Sequence, residues 1–286
     1  MSYLDIDVGL KAARRVCAPS RVVQLRRRLS LIQAGGPIVP WILPLFLLAL
    51  WTVSTQSGWV ADTFLPSPAA IFRAGWKVVR SGELILNLVV SAQRALMGLV
   101  LGGGLGFALW LSNGLSRFSE RFTDSTIQMA RNIPLLSLIP LVILWFGIDE
   151  GAKLFLVALS VFFPVYVNTL HGIKTVDVKL VEMGRSYGLS YWRLFRDIIF
   201  PSALPSIFVG LRFALGIMWV TLIVAETIAA QSGIGYMAMQ AREFMQVDVV
   251  IVAILVYAVL GKLADSIVRL LEHETLQWHP AFQKPL

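Results

Sequence analysis

Among the charged residues inside or at the edge of long apolar runs, four stand out: Arg94, Arg131, Arg212 and Glu226. A charge held away from water needs a partner in the bundle or a task, and the common task is to line a route for a polar solute. Arg131 and Arg212 fall near one end of their runs, where a long side chain can reach the interface. Arg94 comes early in its run and Glu226 late, in "LIVAETIAA". Bond-making chemistry finds little else to work with. His171, His273 and His279 have no metal-ligand spacing, and no nucleophile is paired with a base. No phosphate loop of the form G-x-x-x-x-G-K-[ST] occurs. The one Gly-Lys pair, Gly261-Lys262, is followed by Leu263, so the chain does not hydrolyse ATP alone. "GGGLG" at Gly102–Gly106 is not a nucleotide loop, because it sits inside an apolar run with no strand before it. Gly98, Gly102 and Gly106 instead share one helix face, where small residues let a second helix come close.

The elements that position these charges are apolar. Hydrophobic residues make up 57% of the chain and charged residues only 15%, against about 25% charged in soluble domains. That composition excludes an ordinary soluble protein. A single cysteine, Cys17, excludes an internal disulfide framework. Six runs approach the ~20 residues that cross a bilayer as a helix. They are Ile38–Thr55, a stretch within Leu84–Leu111, one from near Asp124 to Phe146, Leu154–Leu170, Ala203–Ala230 and Val247–Ala264. Pro134, Pro140 and Pro164 fall inside spans, where neighbouring helices can satisfy the freed carbonyls.

Lys and Arg set the orientation. With the N-terminus in the cytosol, sixteen cations fall inside, including Arg26, Arg27, Arg28, Arg185, Arg193 and Arg196. Five fall outside: Arg73, Lys77, Arg80, Lys153 and Arg242. This bias predicts cytosolic N- and C-termini, so the net charge of +8 reflects topology rather than nucleic-acid binding. The basic start of the chain reads as an anchor that stays, not a cleaved leader. The longest outer loop, from about Gln56 to Glu83, has room for one amphipathic helix. Another outer stretch, "QSGIGYMAMQAREFMQVD", places Ile234, Met237, Ala241, Phe244 and Met245 near one helical face. It reads either as an interfacial helix or as a lid or docking element.

Between the fourth and fifth runs lies a polar island, "VEMGRSYGLSYWRLFRDIIFPSALP". Asp177 can cap one short helix and Gly188 can end it at positive φ. Ser190 can cap a second helix carrying Trp192, Phe195 and Ile199 on its apolar side, with Pro201 as its stop. Such a pair suits either docking onto a soluble partner or lying on the membrane surface.

Glu182, Gly184, Gly188, Ile198 and Pro201 spell E-x-G-x-x-x-G-x9-I-x-x-P, which resembles the EAA loop of ABC importer permeases. The family pattern is E-A-A-x-x-x-G-x9-I-x-L-P, so Met183, Gly184 and Phe200 depart from it, and Gly184 is expected to weaken its helix. "IQMARNIPLLSLIPLVILWFGIDE", "LRFALGIMWVTLIVAETI" and "SGIGYMAMQAREF" are similar to the aliphatic sulfonate permeases and their nitrate, taurine and bicarbonate relatives. The likeness runs from Ile38 to the C-terminus. It implies an all-α membrane protein with six transmembrane helices, in the type I ABC importer architecture. It implies a transmembrane domain over 37–271 with a coupling loop at about 172–202 and a cytosolic tail over 272–286; the basic tail over 1–36, which the likeness does not cover, is placed in the cytosol by the charge bias. Glu182, Met183, Gly184, Tyr187, Gly188 and Leu189 would then meet a separate ATPase, and Arg94, Arg131, Arg212 and Glu226 are the pathway candidates. The implied partners are two ATPase subunits, a second permease copy and a periplasmic or lipid-anchored binding protein. No cofactor is expected in this chain, because ATP and Mg would be bound by the ATPase. The expected place is the bacterial inner membrane and the expected cargo an alkanesulfonate, with nitrate, taurine or bicarbonate as the alternative. An ion-coupled secondary carrier is the rival class, but Glu226 is nearly alone as an intramembrane carboxylate and no inverted repeat is visible.

Overall fold

A computed structural model describes residues 39–278 apart from 60, 62 and 116, and every described element is helical. The basic segment before residue 39, and His279 and Lys284, lie outside the described residues. The chain divides into two compact units, 1–61 and 62–286. The described element of the first is α1 (Val39–Gln56), an apolar helix of 18 residues.

The second unit holds the rest. α2 (Pro68–Arg80) is the amphipathic helix expected in the first outer loop, with Ser67 as its cap and Ile71, Ala74 and Val78 buried. α3 (Glu83–Leu115) and α4 (Arg117–Ala130) follow. A 3₁₀ turn (Leu135–Leu138) then leads into α5 (Ile139–Phe146). α6 is Glu150–Lys174 and α7 is Val178–Ser186. α8 (Tyr191–Leu194) passes through one π turn (Phe195–Ile199) into α9 (Phe200–Ala229). α10 (Ile234–Glu243) and α11 (Val247–Thr275) complete the described chain.

Among the described residues, four helical stretches are long and apolar enough to cross a membrane: Glu83–Asn113, Glu150–Lys174, Tyr191–Ile228 and Val247–Thr275. A fifth is broken, with Arg121–Ala130 and Leu135–Phe146 meeting at 87°. Pro134 contributes to that break: it lacks an N–H, and its ring pushes the residue before it out of the helical region, while a new 3₁₀ helix starts directly after it.

The core is a layer of α3, α6 and α9, with α11 against it. Ala95, Val157, Val161, Val165, Leu215, Met218, Leu222 and Val268 are buried together. α6 is the central element, since half of its most apolar window is buried, against 22% for α3 and 17% for α11. In lipid, apolar side chains gain little by leaving their surroundings, so close packing must hold such helices together. Gly98, Gly102 and Gly106 supply it, because a Cβ on any of them would press on Val157, Ala158 or Phe162 of α6. Leu105, Val220 and Val259 on the outside of the bundle are exposed, which suits lipid or protein rather than water.

Two expectations are corrected. Pro201 does not stop the second helix of the island. The chain stays helical from Tyr191 to Ile228, because the π turn absorbs the proline. There Phe200 N–H donates to Phe195 O, an i→i+5 bond, and the widened turn leaves slack where Pro201 offers no donor. Lys153 does not lie in an outer loop. It is in the first turn of α6 and buried.

Candidate functional site

The island folds as two helices around a glycine turn. Asp177 accepts from Lys179 N–H at 2.9 Å and caps α7. α7 ends with Gly188 at φ +72°, where Gly188 N–H donates to Arg185 O at 2.9 Å and Leu189 N–H to Gly184 O at 3.1 Å. This paired closure needs a residue at positive φ. Ser190 then caps α8. Gly184 is buried, and a Cβ there would lie 2.6 Å from both Leu194 and Ile198. The departure from alanine is therefore a packing requirement: α8 and the π turn lie directly on α7. Glu182, Met183, Tyr187 and Gly188 are exposed and Leu189 is half-buried. Tyr187 is 80% exposed and Trp192 61%, beside Arg185 and Arg193. The loop thus presents large apolar side chains among cations, with nothing in the described chain covering them.

At the end of the bundle where α3 and α6 begin, Arg94 and Glu226 meet. Arg94 Nη1 donates to Glu226 at 2.8 Å and to Ser232 O at 2.6 Å. Its Nε and Nη2 grip both oxygens of Glu150, at 2.7 and 2.6 Å. Lys153 Nζ reaches the same carboxylate at 2.9 Å. Glu226, 1% exposed, also accepts from Ser91, Tyr257 and Gly235 N–H at 2.8, 2.9 and 2.9 Å. Gly233 packs onto this carboxylate at φ +113°, where a Cβ would collide with it. One buried carboxylate thereby ties the turn before α10 to α3, α9 and α11. Two cations and two anions balance the cluster, as buried charge requires.

Two cavities flank α9 toward the other end. One of about 500 Å³ is lined by Arg131, Asn132, Ser160, Asn168 and Phe213 among others. The second, about 610 Å³, is lined by Arg212, Gly216 and Thr221 and shares Leu135, Phe213 and Ile217 with the first. Arg131 is exposed at the break, and its guanidinium has no carboxylate partner among the described residues. Arg212 is half-buried and paired with Asp265 at 3.3 Å and with Glu272. The base of α4 is held by Asn113, which donates at 2.7 Å to both Thr123 and Tyr166.

The four charged residues singled out in the sequence therefore separate into two places. Arg94 and Glu226 share one ion pair, while Arg131 and Arg212 sit on adjoining cavities. Sequence reasoning passed over Glu150, Lys153, Ser91, Ser232 and Tyr257. The available signal was the Glu150–Lys153 pair at i, i+3 in a strongly apolar segment. In the stretch expected to lie outside, Ile234 and Met237 are buried with Val78 of α2 and Ala253 and Tyr257 of α11, and Ala241 is buried too, but Phe244 and Met245 are exposed.

Apolar helices layered around buried ion pairs, a broken span beside mostly apolar cavities that Arg131 and Arg212 border, and a solvent-facing helical loop define a multi-pass membrane transport component. Residues 98–277 match the family model described as binding-protein-dependent transport system inner membrane component, and the chain belongs to that family. It is 58% identical to the aliphatic sulfonates transport permease protein SsuC of Escherichia coli (strain K12), over 86% of this chain and 93% of that one. It is 43% identical to the protein of the same name in Bacillus subtilis (strain 168), over 85% and 88%. With the taurine transport system permease protein TauC of Escherichia coli (strain K12), identity is 34% over 84% and 89%. In fold it resembles a solved amino acid ABC transporter chain, with a TM-score of 0.56 at 19% identity, covering 69% of this chain and 96% of that one.

Proposed function

We propose that this chain is the membrane-spanning permease of an ATP-driven importer of aliphatic sulfonates. The observation that carries the substrate is the 58% identity, along 86% of the chain, to a protein named for aliphatic sulfonates. Identity to the taurine protein is lower, at 34%. In this reading α1 and the broken pair complete six spans, and both termini and the 1–36 tail face the cytosol. The loop at about 172–202 couples to ATPase subunits. Glu182, Met183, Tyr187, Gly188 and Leu189 provide its contact face, and Gly184 holds its two helices together. The exposed Tyr187 and Trp192 favour docking over a bare polar loop. Two ATPase subunits, holding ATP and Mg, and a second permease copy form the machine, and a periplasmic or lipid-anchored binding protein delivers cargo. Arg131 and Arg212 lie on the path, while Arg94 and Glu226 shape its outer end.

Glu226 also speaks against an ion-coupled carrier. Such a carrier needs a carboxylate free to bind and release its ion, and this one is committed to Arg94, Ser91, Tyr257 and Gly235.

Sulfur supply is the test. Cells depending on this importer grow on an alkanesulfonate as sole sulfur source, and deletion stops that growth. If deletion abolishes only nitrate or taurine use, the sulfonate assignment fails and the importer assignment survives.

A further inference from the structure

We propose that Arg94 and Lys153 form an anion cradle filled by the chain's own Glu150, and that a sulfonate headgroup takes the place of Glu150 there. The proposal rests on the sulfonate reading above and adds a site to it.

Burial is uneven within the cluster. The side chains of Arg94 and Lys153 are each 4% exposed and that of Glu226 is fully buried, yet that of Glu150 is 58% exposed. The cations are fixed in the bundle, while their second anion, although hydrogen-bonded to both, is a side chain open to solvent on one side. Glu226 stays behind when Glu150 leaves, held from four sides. The cluster then carries one net positive charge, which matches a monoanion. Glu150 is also the first residue of α6, and the start of a long helix favours negative charge.

The donors suit three oxygens better than two. Glu150 Oε1 takes both Arg94 Nη2 and Lys153 Nζ, at 2.6 and 2.9 Å, while Oε2 takes Arg94 Nε at 2.7 Å. A sulfonate gives each donor its own oxygen and stays ionised at physiological pH. Beside the cluster lies a cavity of about 330 Å³, lined by Gln93, Arg94, Glu150 and Ser232 together with Val90, Met97 and Leu154. That mixed lining fits a charged head with an alkyl tail. Exchange of one anion for another also avoids a trap, because the displaced carboxylate competes for the cradle and returns the cargo.

The wild-type permease, in its assembled transporter in nanodiscs, provides the test. Glu150 is labelled with a water-soluble carbodiimide and an amine, and the label is quantified by mass spectrometry. Ethanesulfonate should raise labelling of Glu150 several-fold over potassium chloride at equal ionic strength. Lys153→Met should move the midpoint of that rise to several-fold higher ethanesulfonate, and Glu150→Gln should bind ethanesulfonate several-fold tighter. Unchanged or reduced labelling, or an unmoved midpoint in Lys153→Met, overturns the cradle. Ethanesulfonate uptake by wild-type cells separates the failures. Uptake without the labelling change sinks the cradle alone, and absent uptake sinks the sulfonate reading with it.

Discussion

Gly102 of α3 and Ala158 of α6 meet backbone to backbone, so that a Cβ on Gly102 would overlap the Ala158 carbonyl. Two residues further on, Gly104 has nothing within 4 Å of the same position. Gly102→Ala should therefore destabilise the protein by about 1–3 kcal/mol, the usual cost of overpacking, and Gly102→Leu should prevent assembly. Gly104→Ala should be neutral. Thermal unfolding followed by size-exclusion chromatography in detergent distinguishes the three, and equal behaviour of Gly102→Ala and Gly104→Ala would contradict this packing.

Arg94 and Glu226 are each other's buried partners, so either alone is a liability. Removing one partner of a buried pair typically costs about 3–5 kcal/mol where the other charge is left uncompensated, which holds fully for Glu226 without Arg94 and less for Arg94, which keeps Glu150. Arg94→Met should lower the thermal midpoint strongly, and Glu226→Gln should lower it less. Arg94→Met combined with Glu226→Gln should be less damaging than the sum of the two. Additive losses in this double-mutant cycle would mean that the two residues do not interact.

The helices were legible in the sequence because apolar runs and glycine spacing are local signals. The four-residue repeat of Gly98, Gly102 and Gly106 announced a packing face, and the structure sets α6 against it. Gly188 announced a turn at positive φ. The ion-pair network was not legible, because it joins residues as far apart as Arg94 and Ser232, and no periodicity encodes that contact. Lys153 read as a loop cation because the apolar run was taken to begin at Leu154, whereas α6 begins at Glu150. Pro201 read as a stop because a proline ends an ordinary α-turn, while a π turn tolerates it.

The turn at Gly188 yields a test of coupling. Its φ of +72° is strained for any side chain, although the space around it is open. Gly188→Asn should keep much of the activity, since asparagine tolerates this region, and Gly188→Val should lose most of it. Gly184→Leu should fail for another reason, by driving Leu194 and Ile198 off α7. The readouts are ATPase stimulation and uptake by the assembled transporter, at unchanged permease content in the membrane. If Gly188→Val transports normally, the turn is not part of coupling.

Arg131 and Arg212 border adjoining cavities, yet their surroundings predict opposite outcomes. Arg212 is held by Asp265 and Glu272 on α11, so it braces α9 against α11, and Arg212→Gln should lower stability and uptake together. Arg131 is exposed at the 87° break and bears no such load. Exposed substitutions away from packed features usually fall within about 0.5 kcal/mol, so Arg131→Gln should leave the thermal midpoint unchanged. An exposed cation on a cavity of about 500 Å³ attracts an anion without trapping it, because water still screens the charge. Arg131→Gln should therefore slow alkanesulfonate uptake several-fold at low salt, and the deficit should shrink as ionic strength rises and screening weakens the wild-type advantage. Arg131→Lys keeps the charge and should recover most of the rate. Uptake by Arg131→Gln at the wild-type rate under low salt would remove Arg131 from the path.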